Sequence, residues 1–223
     1  MLLIDEINRG NIPKIFGELI TLIEDEKREE YDKTTGERIQ GKGYSLNLSV
    51  SKERFSVPKN LYIIGTMNTA DQSISQLDIA LRRRFSHKEL IPDPTKIDET
   101  VKHELTTEVE GKPIGTTIEI SLKSILENIN EKILKTAGRE KRIGHAYFMR
   151  KGKSVSDTNG GISLLRDKFE NKIIPLIQEY FYEDMNSVHD ILGDGFIDKD
   201  NEVVKTDNLD DLNKFAVACK KLA

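Results

Sequence analysis

The chain opens on Met1-Leu2-Leu3-Ile4-Asp5-Glu6-Ile7-Asn8-Arg9-Gly10, an apolar run that ends in two adjacent carboxylates and a polar turn. A strand buried in a parallel sheet reads as a continuous apolar run, and ligands of open α/β sheets sit beyond the carboxyl ends of such strands. Two acids at that point suit magnesium-assisted phosphoryl transfer. Asp5 would position the metal, directly or through water, and Glu6 would orient and deprotonate an attacking water. Alone, the same ten residues also fit a strand followed by a solvated acidic turn, so the segments downstream decide.

A second apolar run, Leu61-Tyr62-Ile63-Ile64-Gly65-Thr66, leads into Met67-Asn68-Thr69-Ala70-Asp71, and Leu77-Asp78-Ile79-Ala80-Leu81-Arg82-Arg83-Arg84-Phe85 follows. Asn68 carries both a donor and an acceptor, which bridging a water and a γ-phosphate oxygen requires. As a strand-end residue it also suits a plain turn. The arginine cluster at a helix end can complement the helix dipole, or it can reach a phosphate across a subunit interface. Read together, residues 1–6 have the pattern of a Walker B strand, and the order of strand, asparagine, helix and arginines is that of sensor 1 and arginine finger in AAA+ motors.

The wording is closer still to one branch. DEINRGN at 5–11, KIFGEL at 14–19, MNTAD at 67–71 and ALRRRF at 80–85 resemble the McrB family, the nucleotide-hydrolysing subunit of 5-methylcytosine-specific restriction systems. Arg142-Ile143-Gly144-His145-Ala146-Tyr147-Phe148 and Ile174-Pro175-Leu176-Ile177-Gln178-Glu179-Tyr180-Phe181 resemble that family's C-terminal lid, so the likeness runs from residue 1 to about residue 195. The resemblance implies an α/β fold: a partial AAA+ P-loop NTPase core at 1–94, whose parallel sheet lacks its first strands, a linker at 95–118, and a helical lid at 119–223. In the family's strand order, 5-1-4-3-2, residues 1–6 would be strand 3, 61–66 strand 4 and 85–91 strand 5.

By the same resemblance Asp5, Glu6, Asn68, Arg83 and Arg84 are the catalytic residues, with Mg2+ on Asp5. Asn8 and Arg9 follow the acidic pair as interface residues near the phosphates; an ordinary turn is the equal alternative. Asp71 belongs to the segment linked in the family to preference for GTP over ATP, but Gln72 stands where an arginine is common, so GTP and ATP both stay open. The implied partners are further copies in a ring, expected to be a hexamer, an endonuclease subunit of McrC type, and modified DNA bound through an N-terminal domain. No G-x-x-x-x-G-K-[ST] loop occurs in the sequence; Gly41-Lys42-Gly43 lacks both its spacing and the hydroxyl residue after the lysine. The expectation is therefore the back half of a motor, with its Walker A loop upstream, inactive in isolation. Two competing readings are a non-catalytic assembly module and a MoxR-like AAA+ remodelling ATPase; the INRGN and MNTAD wording argues against the latter.

Composition sets outer bounds. At 223 residues one or two domains are expected, with enough chain to bury a core. Lys and Arg number 34 against 38 Asp and Glu, so there is no basic excess of the kind that drives nonspecific DNA binding. A single cysteine, Cys219, excludes an internal disulfide, no apolar run is long enough to span a bilayer, and a cytoplasmic protein is expected. The four histidines, His87, His103, His145 and His189, show no metal-ligand spacing.

Between the motifs, Ile12, Ile15, Phe16, Leu19, Ile20 and Ile23 fall on one helical stripe, with Glu24 to Glu30 expected as its solvated end. Tyr44, Leu46, Leu48 and Val50 alternate with polar residues as a half-buried strand, and Phe55-Ser56-Val57 is its expected hairpin partner. Phe85 to Ile91 reads as a strand stopped by Pro92, and the polar stretch from Thr95 to Gly115 as a linker. Leu122 to Leu134 and Leu165 to Tyr180 read as amphipathic helices, the second kinked or restarted by Pro175.

Overall fold

A computed structural model describes residues 1–68, 82–97, 100–109, 112–155, 160–182 and 184–223, and the side chains of all of these except 106–109 and 112–114. Asp71 and the helix expected at 77–81 lie outside the described residues. The chain divides into two compact units, Met1–Glu89 and Leu90–Ala223.

The first unit is built on a parallel pair. Strand β1 (Leu2–Ile4) lies beside β4 (Ile63–Gly65) in the register Leu2 to Ile63, Leu3 to Ile64 and Ile4 to Gly65. Beyond β1 the chain folds back as a short helix, α1 (Ile12–Phe16), which continues into a 3-10 turn at Gly17–Ile23. Asn11 caps α1 by accepting from the Lys14 amide at 3.1 Å, and Pro13 occupies a first-turn position where its missing N–H costs nothing. Ile7 and Ile12 form a small core under the strand ends, joined by Ile4, Phe16, Ile20 and Phe85. Gly65 makes this possible: a Cβ there would stand 3.0 Å from Ile7 Cδ1. The apolar strands themselves are not fully covered, since Leu3 is 60 % and Tyr62 70 % exposed. A sheet of two strands leaves two free edges, and continuous apolar patterning belongs to a strand flanked on both sides.

Between β1 and β4 lies an insertion with its own polar centre. The expected hairpin forms, shorter than the alternation suggested, with β2 (Leu46–Asn47) antiparallel to β3 (Arg54–Phe55). The expectation of a solvated helix end at 24–30 is corrected: only Asp25–Lys27 is a 3-10 turn, and Glu29 is 2 % exposed. Its carboxylate accepts hydrogen bonds from Ser56 Oγ at 2.7 Å, Tyr31 Oη at 3.0 Å and Arg54 Nη2 at 3.1 Å, and Arg38 Nε lies 2.6 Å away. Its backbone bridges to the far side of the insertion, donating to Val57 O and accepting from Lys59 N. Charge patterning cannot separate such an acid from its solvated neighbours, because the cations that pair it lie 9 and 25 residues away.

Burial alone would raise the Glu29 carboxyl, but hydrogen bonds from Ser56 and Tyr31 and the charges of Arg38 and Arg54 outweigh it and hold it below the usual range. Because the folded value is depressed, its contribution to stability is present above the unfolded carboxylate value and is lost as pH falls through the folded one. Glu29→Gln is expected to weaken the insertion by about 1–3 kcal/mol at neutral pH, read as faster hydrogen exchange of the 44–58 amides. The difference from the parent chain should vanish in acid below both carboxylate values; an equal gap at all pH values would mean that charge is not what holds the insertion.

Two expectations for residues 85–121 change. Phe85 to Ile91 is not a strand, for no described residue pairs with it. The expected linker at 95–118 is largely a hairpin: β5 (Thr100–Val109) and β6 (Lys112–Ser121) pair antiparallel over ten residues, from Thr100 with Ser121 to Val109 with Lys112. Val101 and Ile120 face each other and are buried, while Lys102 and Glu119 pair on the other side at 2.9 Å. The abundance of charge and threonine masked a period of two.

The second unit holds the main core. Helix α2 (Leu122–Thr136), capped by Ser121 Oγ accepting from the Ser124 amide, buries Leu122, Ile125, Leu126, Ile129 and Ile133 on one face. The second expected helix is continuous but changes pitch: α3 (Gly161–Lys168) runs through a π turn at Phe169–Ile173 into α4 (Ile174–Tyr180). Pro175 cannot donate to the carbonyl one turn back, and a wider turn just before it relieves the clash. Phe169 on that turn stacks on Phe196 at 4.9 Å and meets Phe215 edge-on at 5.7 Å. Phe215 comes from the last helix, α7 (Leu212–Leu222), where Cys219 is also buried; α5 (Met185–Leu192) and α6 (Thr206–Asp210) precede it. Burial pushes the Cys219 thiol well up, so it is an inert core residue.

The imbalance between the two cores carries an expectation. Limited proteolysis should leave a resistant fragment beginning near residue 90 and ending near the C-terminus, while 1–89 is degraded. Uniform resistance and a single cooperative melt of the whole chain would contradict it.

Candidate functional site

The parallel pairing decides where the sequence-derived residues sit. Asp5 follows β1 directly and Asn68 stands three residues beyond the end of β4, so both leave the sheet at its carboxyl edge. Thr66 ties the two strand ends together. Its amide donates to Ile4 O at 2.9 Å, its carbonyl accepts from Ile7 N at 2.8 Å, and its hydroxyl donates to Asp5 Oδ1 while accepting from Glu6 N at 3.0 Å. Sequence reasoning had missed Thr66. Its only signal was a hydroxyl residue closing an otherwise apolar run.

Glu6 does not continue the strand. Its backbone is left-handed, with φ 51° and ψ 49°, and this single residue turns the chain from β1 into the 3-10 turn Ile7–Arg9. A non-glycine residue in that region costs of order 1 kcal/mol or more, and such outliers cluster at functional sites. The Glu6 carboxylate is ion-paired with Arg9 three residues on, both side chains being roughly half exposed.

Asn8 is 9 % exposed and lies across the gap between the strand ends, its Nδ2 donating to Asn68 O at 3.3 Å. Among the described residues its buried Oδ1 has no hydrogen-bond partner. A buried amide oxygen left unsatisfied costs about 1–3 kcal/mol, and a donor arriving from a ligand or its water shell would remove that cost. Asp5, Glu6, Asn8, Arg9 and Asn68 are thus brought to one edge, with carboxylate and amide oxygens suited to a hard divalent cation and its waters. Among the described residues no three His, Cys, Asp or Glu side chains gather as a ready-made metal cage.

The arginines are placed differently from one another. Arg83 is exposed, whereas Arg84 is 17 % exposed and its Nη2 lies 2.7 Å from Glu24 Oε1. Lid residue His145 accepts from the Asp93 amide at Nδ1, 3.1 Å, in keeping with a structural role. Asp71 lies outside the described residues.

A parallel strand pair with paired acids at its carboxyl edge, followed by a separate helical unit, defines a class that comparison identifies. Residues 1–85 match the family described as AAA domain (dynein-related subfamily), and residues 121–189 match McrB, alpha-helical lid domain. The chain is a partial AAA+ core followed by its helical lid, and it belongs to the McrB family. It is 37 % identical over 189 residues to the type IV methyl-directed restriction enzyme EcoKMcrB subunit of Escherichia coli (strain K12), covering 82 % of this chain and 37 % of that protein. It is also 37 % identical over 92 residues to the type II restriction enzyme BsuMI component YdiS of Bacillus subtilis (strain 168), covering 40 % of this chain and 26 % of that one. The chain thus spans well under half the length of these relatives. Among the described residues no helix is long and apolar enough to cross a membrane.

Proposed function

We propose that this chain is the Walker B, sensor and lid portion of a nucleotide-hydrolysing motor subunit in a DNA restriction complex. The observation that carries the reading is the register of β1 with β4, which brings Asp5, Glu6, Asn8 and Asn68 to one sheet edge. Residues 1–223 hold no Walker A loop, so the phosphate cradle comes from another segment or chain. The substrate is GTP or ATP. Asp5 would hold Mg2+, which when bound supplies charge to the phosphate oxygens. Thr66 fixes the Asp5 carboxylate by donating to it, and Glu6 accepts the proton of the attacking water. Asn68 orients that water, and Asn8, its amide oxygen unsatisfied, offers an acceptor beside it. Asp71, in the MNTAD segment, stays a candidate for nucleotide recognition.

Arg9 pairs with Glu6 at rest and would release it as nucleotide arrives. Arg83 reaches the phosphates bound by a neighbouring copy, which requires a ring, in keeping with a hexamer. The work of hydrolysis would serve an endonuclease partner of McrC type acting on modified DNA. The 37 % identity to a methyl-directed restriction subunit supports that setting.

The test uses this chain alone and joined to a Walker A-bearing segment of a relative. Residues 1–223 alone should show no turnover of GTP or ATP, because the backbone amides and lysine that cradle the phosphates are elsewhere. The joined protein should hydrolyse one of the two. Turnover by the isolated chain that is abolished by Glu6→Gln, or an inert joined protein that still binds nucleotide, would refute the reading.

A further inference from the structure

The placement of the arginine cluster points to a residue that the family wording did not single out. Arg84 is held by Glu24 at 2.7 Å, and the next residue, Phe85, packs against the small core of Ile7 and Ile12. Arg83, one residue earlier, is exposed. Two consecutive side chains are therefore pinned to the same subunit while their neighbour faces outward. Glu24 is itself fixed: its other carboxylate oxygen takes Lys27 Nζ at 3.0 Å, and the Ile23 carbonyl just before it accepts from Arg28 Nε at 2.9 Å. It ends the helical stretch that starts at Ile12, immediately after the Glu6 turn.

We infer that Glu24 is a positioning residue: by clamping Arg84 in its own subunit it presents Arg83 to the neighbouring one. The inference rests on the proposed role of Arg83 in trans. Without the clamp the turn at 83–84 loses an anchor, and the guanidinium of Arg83 loses its fixed origin. A displacement of about 1 Å in such a group can cost on the order of 100-fold in rate. Arg84 then has a cis, structural task, and the two arginines are not equivalent.

A mixing experiment in the complete ring-forming protein separates this from a general loss of structure. Glu24→Gln should lower kcat by roughly 10–100-fold with KM nearly unchanged, and its ring should assemble and melt as the parent does. Mixed with Glu6→Gln subunits, it should regain activity as Arg83→Ala does, because a mixed interface pairs an intact Glu6 with a well-placed Arg83. The reversed pair, Glu24→Arg with Arg84→Glu, should recover part of the lost kcat and guards against a single variant that fails to fold. A Glu24→Gln protein with unchanged kcat overturns the inference. So does one that gains nothing on mixing while Arg83→Ala does, for its defect then lies in its own site. If hydrolysis survives both Glu6→Gln and Arg83→Ala, the site reading itself falls, a pattern distinct from the other two.

Discussion

Replacing Arg83 with alanine in the Walker A-bearing protein, assembled as the proposed ring, should lower nucleotide hydrolysis by about 10³–10⁵-fold and leave nucleotide affinity nearly unchanged. A trans arginine meets charge that develops on the transferring phosphoryl group, so its loss appears in the transition state more than in binding. Arg83 is exposed, so alanine there removes no packing, and the small core beneath retains Phe85. Arg83→Lys should recover little, since a single ammonium cannot reproduce the planar fork of a guanidinium. Arg84→Ala is expected to differ: it removes a side chain only 17 % exposed, with its packing as well as its pair to Glu24, and should lower thermal stability along with activity. Measuring kcat, nucleotide affinity and melting temperature for the three variants side by side checks the assignment. Equal rates for Arg83→Ala and the parent would remove Arg83 from the mechanism.

The parts of this fold that were legible in the sequence are those whose signal is local. An apolar run ending in Asp5-Glu6, another ending at Thr66, and the stripe Leu122, Ile125, Leu126, Ile129, Ile133 each announce their element within a few residues. The parallel pairing of the first two followed from the family resemblance and is observed. What escaped were arrangements set by partners distant in sequence. Glu29 reads as one acid in a charged run, yet Arg38, Arg54, Ser56 and Tyr31 gather round it and bury it. Thr66 looks like the end of a strand, and only the neighbouring strand reveals that its hydroxyl serves both Asp5 and Glu6. The hairpin from Thr100 to Ser121 was read as linker because charge obscured a period of two that the Val101 and Ile120 pair makes plain. At 85–91 the sequence has strand character but no described partner, and a strand without a ladder is only an extended segment.

Glu6 should separate stability from chemistry more sharply than any other position. Glu6→Gln keeps the size of the side chain and the amide that donates to Thr66 Oγ1, so the turn and the melting temperature should be unaffected. Besides the base only the half-exposed ion pair to Arg9 is lost, and kcat should fall by about 10²–10⁴-fold while nucleotide remains bound. Glu6→Gly acts on the backbone as well. Glutamate at φ 51° and ψ 49° occupies the left-handed region at a cost of about 1–3 kcal/mol, and glycine enters it freely. Against that gain stands the larger freedom of glycine in the unfolded chain, together with the loss of a half-exposed ion pair to Arg9, worth about 0–1 kcal/mol. The glycine variant should therefore be as stable as the parent or slightly more so, and as inactive as Glu6→Gln. Strain kept at a position where relieving it costs no stability is retained for what the side chain does there. A Glu6→Gly protein that is markedly less stable would show that the turn depends on the carboxylate, and hydrolysis within tenfold of the parent in either variant would show that Glu6 is not the base.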